Sequence, residues 1–167
     1  MKKFYHITLY FMFFSFIGFL FESIYVSLIK HTIVTRGILY GPFNPIYGFG
    51  AILILFVIKK ISKNNYQIFL YSFLILTIFE YLIGTILEVF FNIKAWNHSK
   101  ETLNIQGKVC LYASIAWGLF GLGMASIKQK YFKFIDTIQE KNKEIIVKIF
   151  FVYLIIDLIF TLLKYYG

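Results

Sequence analysis

Four carboxylates of this chain sit where a carboxylate is expensive to keep. Of the 8 acidic residues, Glu101, Asp136, Glu140 and Glu144 fall in polar connecting segments, whereas Glu22, Glu80, Glu88 and Asp157 fall inside stretches that are otherwise apolar. An ionisable group near the centre of a membrane-spanning helix costs roughly 2.5–3.5 kcal/mol on insertion scales. Such groups are kept when they face one another, a cation or a watery cavity, or when they lie near a helix end and reach the interface. Glu88, shortly before Phe91, fits the interfacial case; Glu80 and Asp157 fit it worst. Glu80 and Glu88 stand two helical turns apart, a rise of about 12 Å, with Gly84 midway. They share one broad side of a helix but are too distant to share a proton or a metal ion. Gly84 leaves a notch between them for a neighbouring helix or a ligand. A relay, a pair of separate contacts and a purely structural partnership are all open for these two groups.

The obvious counter-charge is Arg36, at the head of a segment running from Arg36 to Gly48 with Gly37, Gly41, Pro42, Pro45 and Tyr47. Irregular backbone at membrane depth is tolerated only where it is buried in protein or lines a cavity. The expectation is that this segment folds inward and brings Arg36 against Glu22 or Glu80, a broken helix of the kind transporter sites use. The alternative is a plain extracellular loop with turns at Gly41-Pro42 and Asn44-Pro45.

The elements that must position these groups are membrane helices. Of the 167 residues 59% are hydrophobic and 22% aromatic, only 15% are charged, and there is a single Cys; the mean hydropathy is +0.73. That balance excludes a disordered chain and a disulfide scaffold. It leaves the excess of 17 Lys and Arg over 8 acidic residues to be read against a bilayer rather than a nucleic acid. The reading is an all-α polytopic membrane protein of about five transmembrane helices forming one transmembrane domain over 1–167. The spans cover about 4–28, 45–58, 68–91, 109–127 and 145–163, and the second has an irregular Gly/Pro-rich lead-in. The N-terminus and the second and fourth loops (including Lys59, Lys60, Lys63 and Lys128) carry 11 of the basic residues against 6 on the opposite side. This excess places the N-terminus in the cytoplasm and the C-terminus outside, in the cell membrane. In the fourth loop Tyr131, Phe134, Ile135 and Ile138 recur at helical spacing among lysines, which suits a short interfacial helix, with a solvated connector or an extension of the fourth span as the alternative. Ala113, Ser114, Gly118, Gly121 and Ala125 form a small-residue stripe for close helix packing, within the chain or in a homodimer.

Several chemistries find no support. His6, His31 and His98 are scattered without a second ligand at helical spacing, so no metal site is expected. Cys110 is alone in an apolar setting, and no Gly-rich phosphate loop with a following Lys occurs, so the chain is not itself an ATPase. No catalytic residue and no cofactor are assigned.

Four blocks together resemble the putative ABC-transporter type IV family of CmpB-like bacterial membrane proteins. They are Gly18-Phe-Leu-Phe-Glu22 with Tyr25; Arg36-Gly37, Gly41-Pro42 and Pro45-Ile46-Tyr47-Gly48 with Gly50; Glu80-Tyr81 with Gly84 and Glu88; and Trp96-Asn97-His98-Ser99 followed by Asn104, Gly107, Cys110, Leu111, Ser114 and Trp117-Gly118. They cover about residues 18–121 in the family's order and spacing. The chain departs from the pattern at Asn97, where the family has Asp, at Phe19 for Trp, and at Thr35 for Asn.

The resemblance implies a permease-like subunit of unknown substrate that works with a separate ATPase. Five short spans are few for a transport path, so a homo-oligomer or a second permease is implied as well, in contact with membrane lipids and with no nucleic acid. By the charge map the matching residues gather at the outer face, which fits a substrate handled at the outer leaflet. Two other readings stand beside this one. A membrane-embedded enzyme acting on a lipid or lipid-linked substrate would use Glu22, Glu80 or Glu88 as acid or base and Arg36 to hold a phosphate. A non-catalytic assembly subunit would use the same carboxylates with Arg36 as a buried lock.

Overall fold

The structure, a computed structural model, describes residues 2–60 and 64–166. These residues form five α-helices and one isolated β-bridge: α1 (Lys2–Lys30), α2 (Pro45–Lys60), α3 (Asn65–Phe91), α4 (Leu111–Thr137) and α5 (Glu140–Tyr166). Each helix has a local reason for its bounds. Pro45 opens α2, where a missing N–H costs nothing and the fixed φ is already helical. Asn64 caps α3 by accepting the Gln67 N–H at 2.9 Å, and Asn92, left-handed at φ 54°, ends it. The fourth loop resolves as an extension of α4, which runs unbroken to Thr137. Lys63, one of the basic residues of the second loop, lies outside the described residues.

α1, α3, α4 and α5 are long and apolar enough to cross a membrane. α2, with 16 residues, is about 24 Å long, short of the roughly 30 Å hydrocarbon layer. The distribution of side chains is inverted relative to a water-soluble core. Ser15 and Ser72 are fully buried and Asp157 is 4% exposed, while Leu28, Val89, Phe90 and Ile149 stand more than half exposed. Polar groups turned inward and aliphatic groups turned outward are what a lipid solvent selects.

The chain groups into two compact units. The first holds residues 1–49 and 131–167, the second residues 50–130. In the first, α1 packs along α5, with His6 beside Lys143, Phe4 stacked on Phe151 and Phe11 near Phe150. Leu9, Ile135 and Val147 form its small apolar core, flanked by Tyr5, Met12 and Tyr131. In the second, α3 and α4 approach closely at glycines: a Cβ on Gly118 would lie 2.5 Å from the Phe69 ring, and one on Gly121 would collide with the Ser72 side chain.

Candidate functional site

In the first unit the segment between α1 and α2 descends along α1 instead of looping away from it. Ser27 Oγ accepts the Val34 N–H at 2.9 Å and donates to its carbonyl at 3.2 Å. Ser23 Oγ accepts the Arg36 N–H at 3.0 Å. The Asn44 N–H then reaches the Ser15 carbonyl at 2.9 Å, fifteen residues and about 22 Å back from the end of α1. The chain has therefore folded inward to near the middle of α1 before α2 begins. Ser23 and Ser27 make this possible by offering side-chain oxygens to backbone that is not in a helix, and Ser15 adds its main-chain carbonyl.

The far side of the segment is held by α5. Asp157 Oδ1 accepts the Tyr40 N–H at 2.9 Å and the Gly41 N–H at 3.0 Å, and its Oδ2 lies 3.1 Å from the Gly41 nitrogen. Thr161 Oγ1 also accepts from Tyr40, at 3.1 Å. A Cβ on Gly41 would collide with the Tyr153 hydroxyl, so only glycine brings the backbone this close. Tyr153, Asp157 and Thr161 recur at four-residue steps and thus share one face of α5. That spacing is visible in the sequence once Asp157 is suspected, and it is the signal that Tyr153 and Thr161 belong with it.

Glu22 accepts from two neutral groups of the inward-folded segment. The Asn44 amide donates to one carboxylate oxygen at 2.9 Å and the Tyr47 hydroxyl to the other at 3.2 Å. Tyr47 itself lies over Gly18, and Gly48 lies over Ser15 and Phe11, with no room for a Cβ at either glycine. The expected pairing of Arg36 with Glu22 or Glu80 is not seen. No ion pair of Arg36 occurs among the described residues, and its Nε is buried without a hydrogen-bond partner. The reason is geometric: Ser23 fixes the Arg36 backbone, and Asn44 and Tyr47, deeper in the segment, reach the Glu22 carboxylate.

The second unit holds Glu80 and Glu88 apart, each with its own partners. Glu80, 7% exposed, accepts the Trp117 indole N–H at 3.0 Å, and its other oxygen lies 3.7 Å from His98 Nε2. The remaining ring nitrogen of His98 stands 3.4 Å from the Tyr112 hydroxyl. Glu88 is bridged by Lys108 at 2.7 Å and by Lys94 at 3.2 Å. The Gly84 notch is filled from within, because a Cβ there would meet Trp96 at 3.2 Å and Lys108 at 3.5 Å.

The loop between α3 and α4 is built by the polar residues of the fourth block. Asn97 Oδ1 accepts the Ser99 N–H at 2.9 Å, the Asn104 amide donates to the Ser99 and Glu101 carbonyls, and Asn104 Oδ1 accepts from Gly107. Trp96 donates to the Lys108 carbonyl at 2.7 Å. Gly107, at φ +68°, passes close to Asn97. Asn97 therefore supplies a turn through an oxygen that an amide carries as well as a carboxylate does. A cleft of about 200 Å³ lies beside this loop, lined by Glu88, Lys94, Trp96, Asn97, Ser99 and Lys108 among others. Among the described residues no group of three or more His, Cys, Asp or Glu is placed to hold a metal ion.

Residue identities had pointed to Glu22, Glu80, Glu88 and Asp157, but not to all of the side chains that meet them. Asn44, His98, Tyr112 and Lys108 are polar residues whose spacing carries no periodic signal, so only the tertiary structure assembles them.

The family comparison can be set against this geometry. The profile described as putative ABC-transporter type IV matches residues 9–162, nearly the whole chain. The chain belongs to that family. The matched range takes in both units, and with them Glu22, Arg36, Glu80, Glu88 and Asp157. It also takes in four helices able to cross a bilayer, so this member of the family is a multi-pass membrane protein. Among curated proteins and solved structures, no match to the chain is found.

Proposed function

We propose that the protein is a permease-like subunit that works in the membrane with a separately made ATPase. The observation that carries this reading is the segment 36–44: backbone without helical hydrogen bonds, folded to near mid-helix depth and held there by Asp157 and by Ser15 of α1. Broken backbone at that depth, framed by carboxylates, is a recurrent feature of membrane proteins that move polar cargo. Family membership supports the same reading. One chain has too few crossings to enclose a path, so a second copy or a second permease completes it. The N-terminus faces the cytoplasm, where Lys59 and Lys60 in the last turn of α2 and the lysines on either side of the α4–α5 turn would meet the ATPase.

The test is native co-purification in mild detergent from the source membrane, with mass spectrometry of what accompanies the chain. An ATPase subunit at comparable abundance is the expected result; a clean homo-oligomer in repeated preparations would overturn the proposal.

One observation favours a second reading. Glu22, Glu80 and Asp157 all take donors from the chain itself, which also suits an assembly subunit in which the carboxylates lock the fold. Under that reading Glu22→Gln and Asp157→Asn lose expression before any transport phenotype appears. Under the permease reading some such variants express normally and fail to transport.

A further inference from the structure

Arg36 is the single arginine among the 17 basic residues, and the only basic group between Arg36 and Gly48. Its backbone is pinned by Ser23, yet its Nε is buried and has no hydrogen-bond partner. Among the intramembrane carboxylates of the first unit, Glu22 accepts from Asn44 and Tyr47, and Asp157 from the N–H groups of Tyr40 and Gly41. A buried guanidinium N–H without an acceptor has given up water and received nothing in return. The guanidinium fork suits the paired oxygens of a phosphate, which a lysine in its place would hold only as a point charge.

The depth of the residue narrows the choice of acceptor. Ser23 stands seven residues, about 10 Å, from the end of α1. All 29 residues of α1 span about 44 Å, close to the thickness of a bilayer with its headgroups. The level of Ser23 and the Arg36 backbone is thus the boundary between hydrocarbon and headgroups. Around that level α1 exposes Phe21, Ile24 and Leu28 by 58–70%, an apolar surface on which acyl chains can lie.

We infer that Arg36 anchors an oxyanion site, its guanidinium taking the phosphate group of a lipid headgroup, or a free phosphate, at the edge of the hydrocarbon layer. The inference goes beyond the permease reading and does not depend on it, since the test below needs no ATPase.

The test is native mass spectrometry of the full chain in mild detergent. Phosphatidylglycerol, diacylglycerol of the same acyl chains, and inorganic phosphate are titrated in turn. The wild-type protein is expected to retain phosphatidylglycerol at least about tenfold more tightly than diacylglycerol, in keeping with a bidentate charge-assisted contact. Arg36→Gln removes that preference and Arg36→Lys keeps part of it. Lys30→Gln, at the exposed end of α1, leaves it unchanged. Inorganic phosphate that displaces the lipid assigns the site to the free ion, and phosphate without effect assigns it to the headgroup; either supports Arg36 as the anchor. Equal retention of the two lipids by the wild-type chain overturns the inference, and this arm holds even if Arg36→Gln does not fold. An Arg36→Gln protein that keeps the preference overturns it too.

Discussion

Asp157 is buried in a helix that crosses a membrane, and it does there what a neighbouring strand or helix does for backbone elsewhere: it accepts the N–H groups of Tyr40 and Gly41. Hydrogen bonds to a charged group contribute about 1.5–3 kcal/mol each. Asp157→Ala removes both and is expected to cost roughly 3 kcal/mol or more, while Asp157→Asn, which keeps one carbonyl acceptor, should cost about half as much. Thermal unfolding in detergent should rank wild type above Asp157→Asn above Asp157→Ala; an unchanged Asp157→Ala protein would refute the assignment. Glu80 gives the complementary case. Its contact with Trp117 is a single indole N–H, which an amide oxygen also accepts. Glu80→Gln is therefore expected to hold stability within about 1 kcal/mol, and Glu80→Leu to lose about 1–3 kcal/mol by removing the acceptor 3.0 Å from the buried indole nitrogen. A Glu80→Leu protein as stable as Glu80→Gln would show that this contact does not matter. At this scale the sequence reveals which charges are costly to bury. It does not reveal which neutral groups answer them, because Asn44 and Trp117 reach their carboxylates across gaps of 22 and 37 residues.

Between elements the decisive residues are glycines that let backbone or rings come close. Gly41 has no space for a methyl group because the Tyr153 hydroxyl is already there. Gly41→Ala should lower the melting temperature sharply, and adding Tyr153→Phe should recover part of the loss, since the hydroxyl is the atom in the way. A double variant no more stable than Gly41→Ala alone would place the strain elsewhere. On the α3–α4 contact, a Cβ at Gly118 would sit 2.5–2.9 Å from the Phe69 ring. Overpacking of this kind typically costs 1–3 kcal/mol, so Gly118→Val is expected to destabilise by about that amount, with Phe69→Ala relieving it. The helices themselves were largely legible, because long apolar runs have few alternatives to a membrane helix. The continuation of α4 to Thr137 was legible only as one of three options, beside an interfacial helix and a solvated connector. What decides it is tertiary: Tyr131 and Phe132 stack around Tyr10, and Ile135 is buried beside Leu9 and Val147. The lead-in to α2 announced itself through Gly and Pro, yet nothing in those residues says that Asp157 would receive it.

For the whole molecule the open quantity is the number of crossings, and the direction of α1 against α5 bears on it. In the first unit the segment that descends α1 from Ser23, at Arg36, to Ser15, at Asn44, also descends α5 from Thr161 and Asp157, at Tyr40, to Phe150, at Phe43, so the two helices are parallel. Parallel first and last spans require an odd number of crossings, and four helices alone would make them antiparallel. We propose that the missing crossing is supplied in two pieces. The segment 31–44 descends about 22 Å along α1 to the level of Ser15. There the start of α2 lays Tyr47 on Gly18 and Gly48 on Ser15 and Phe11, which heads it toward the N-terminal end of α1. Its 16 residues add about 24 Å. An irregular descent continued by a short helix is what the expectation of five crossings asks of its second member. With the basic excess on the N-terminal side, the expectation is a cytoplasmic N-terminus and an external C-terminus. Replacing Cys110, which is buried, by Ser gives a background without thiols. Single cysteines introduced at Lys3 and Tyr165 are then treated with a membrane-impermeant maleimide in intact cells. Tyr165→Cys should label at once and Lys3→Cys only after permeabilisation. Labelling of both from the same side would mean an even number of crossings, and the irregular segment with α2 would then be a hairpin that enters and leaves by one face.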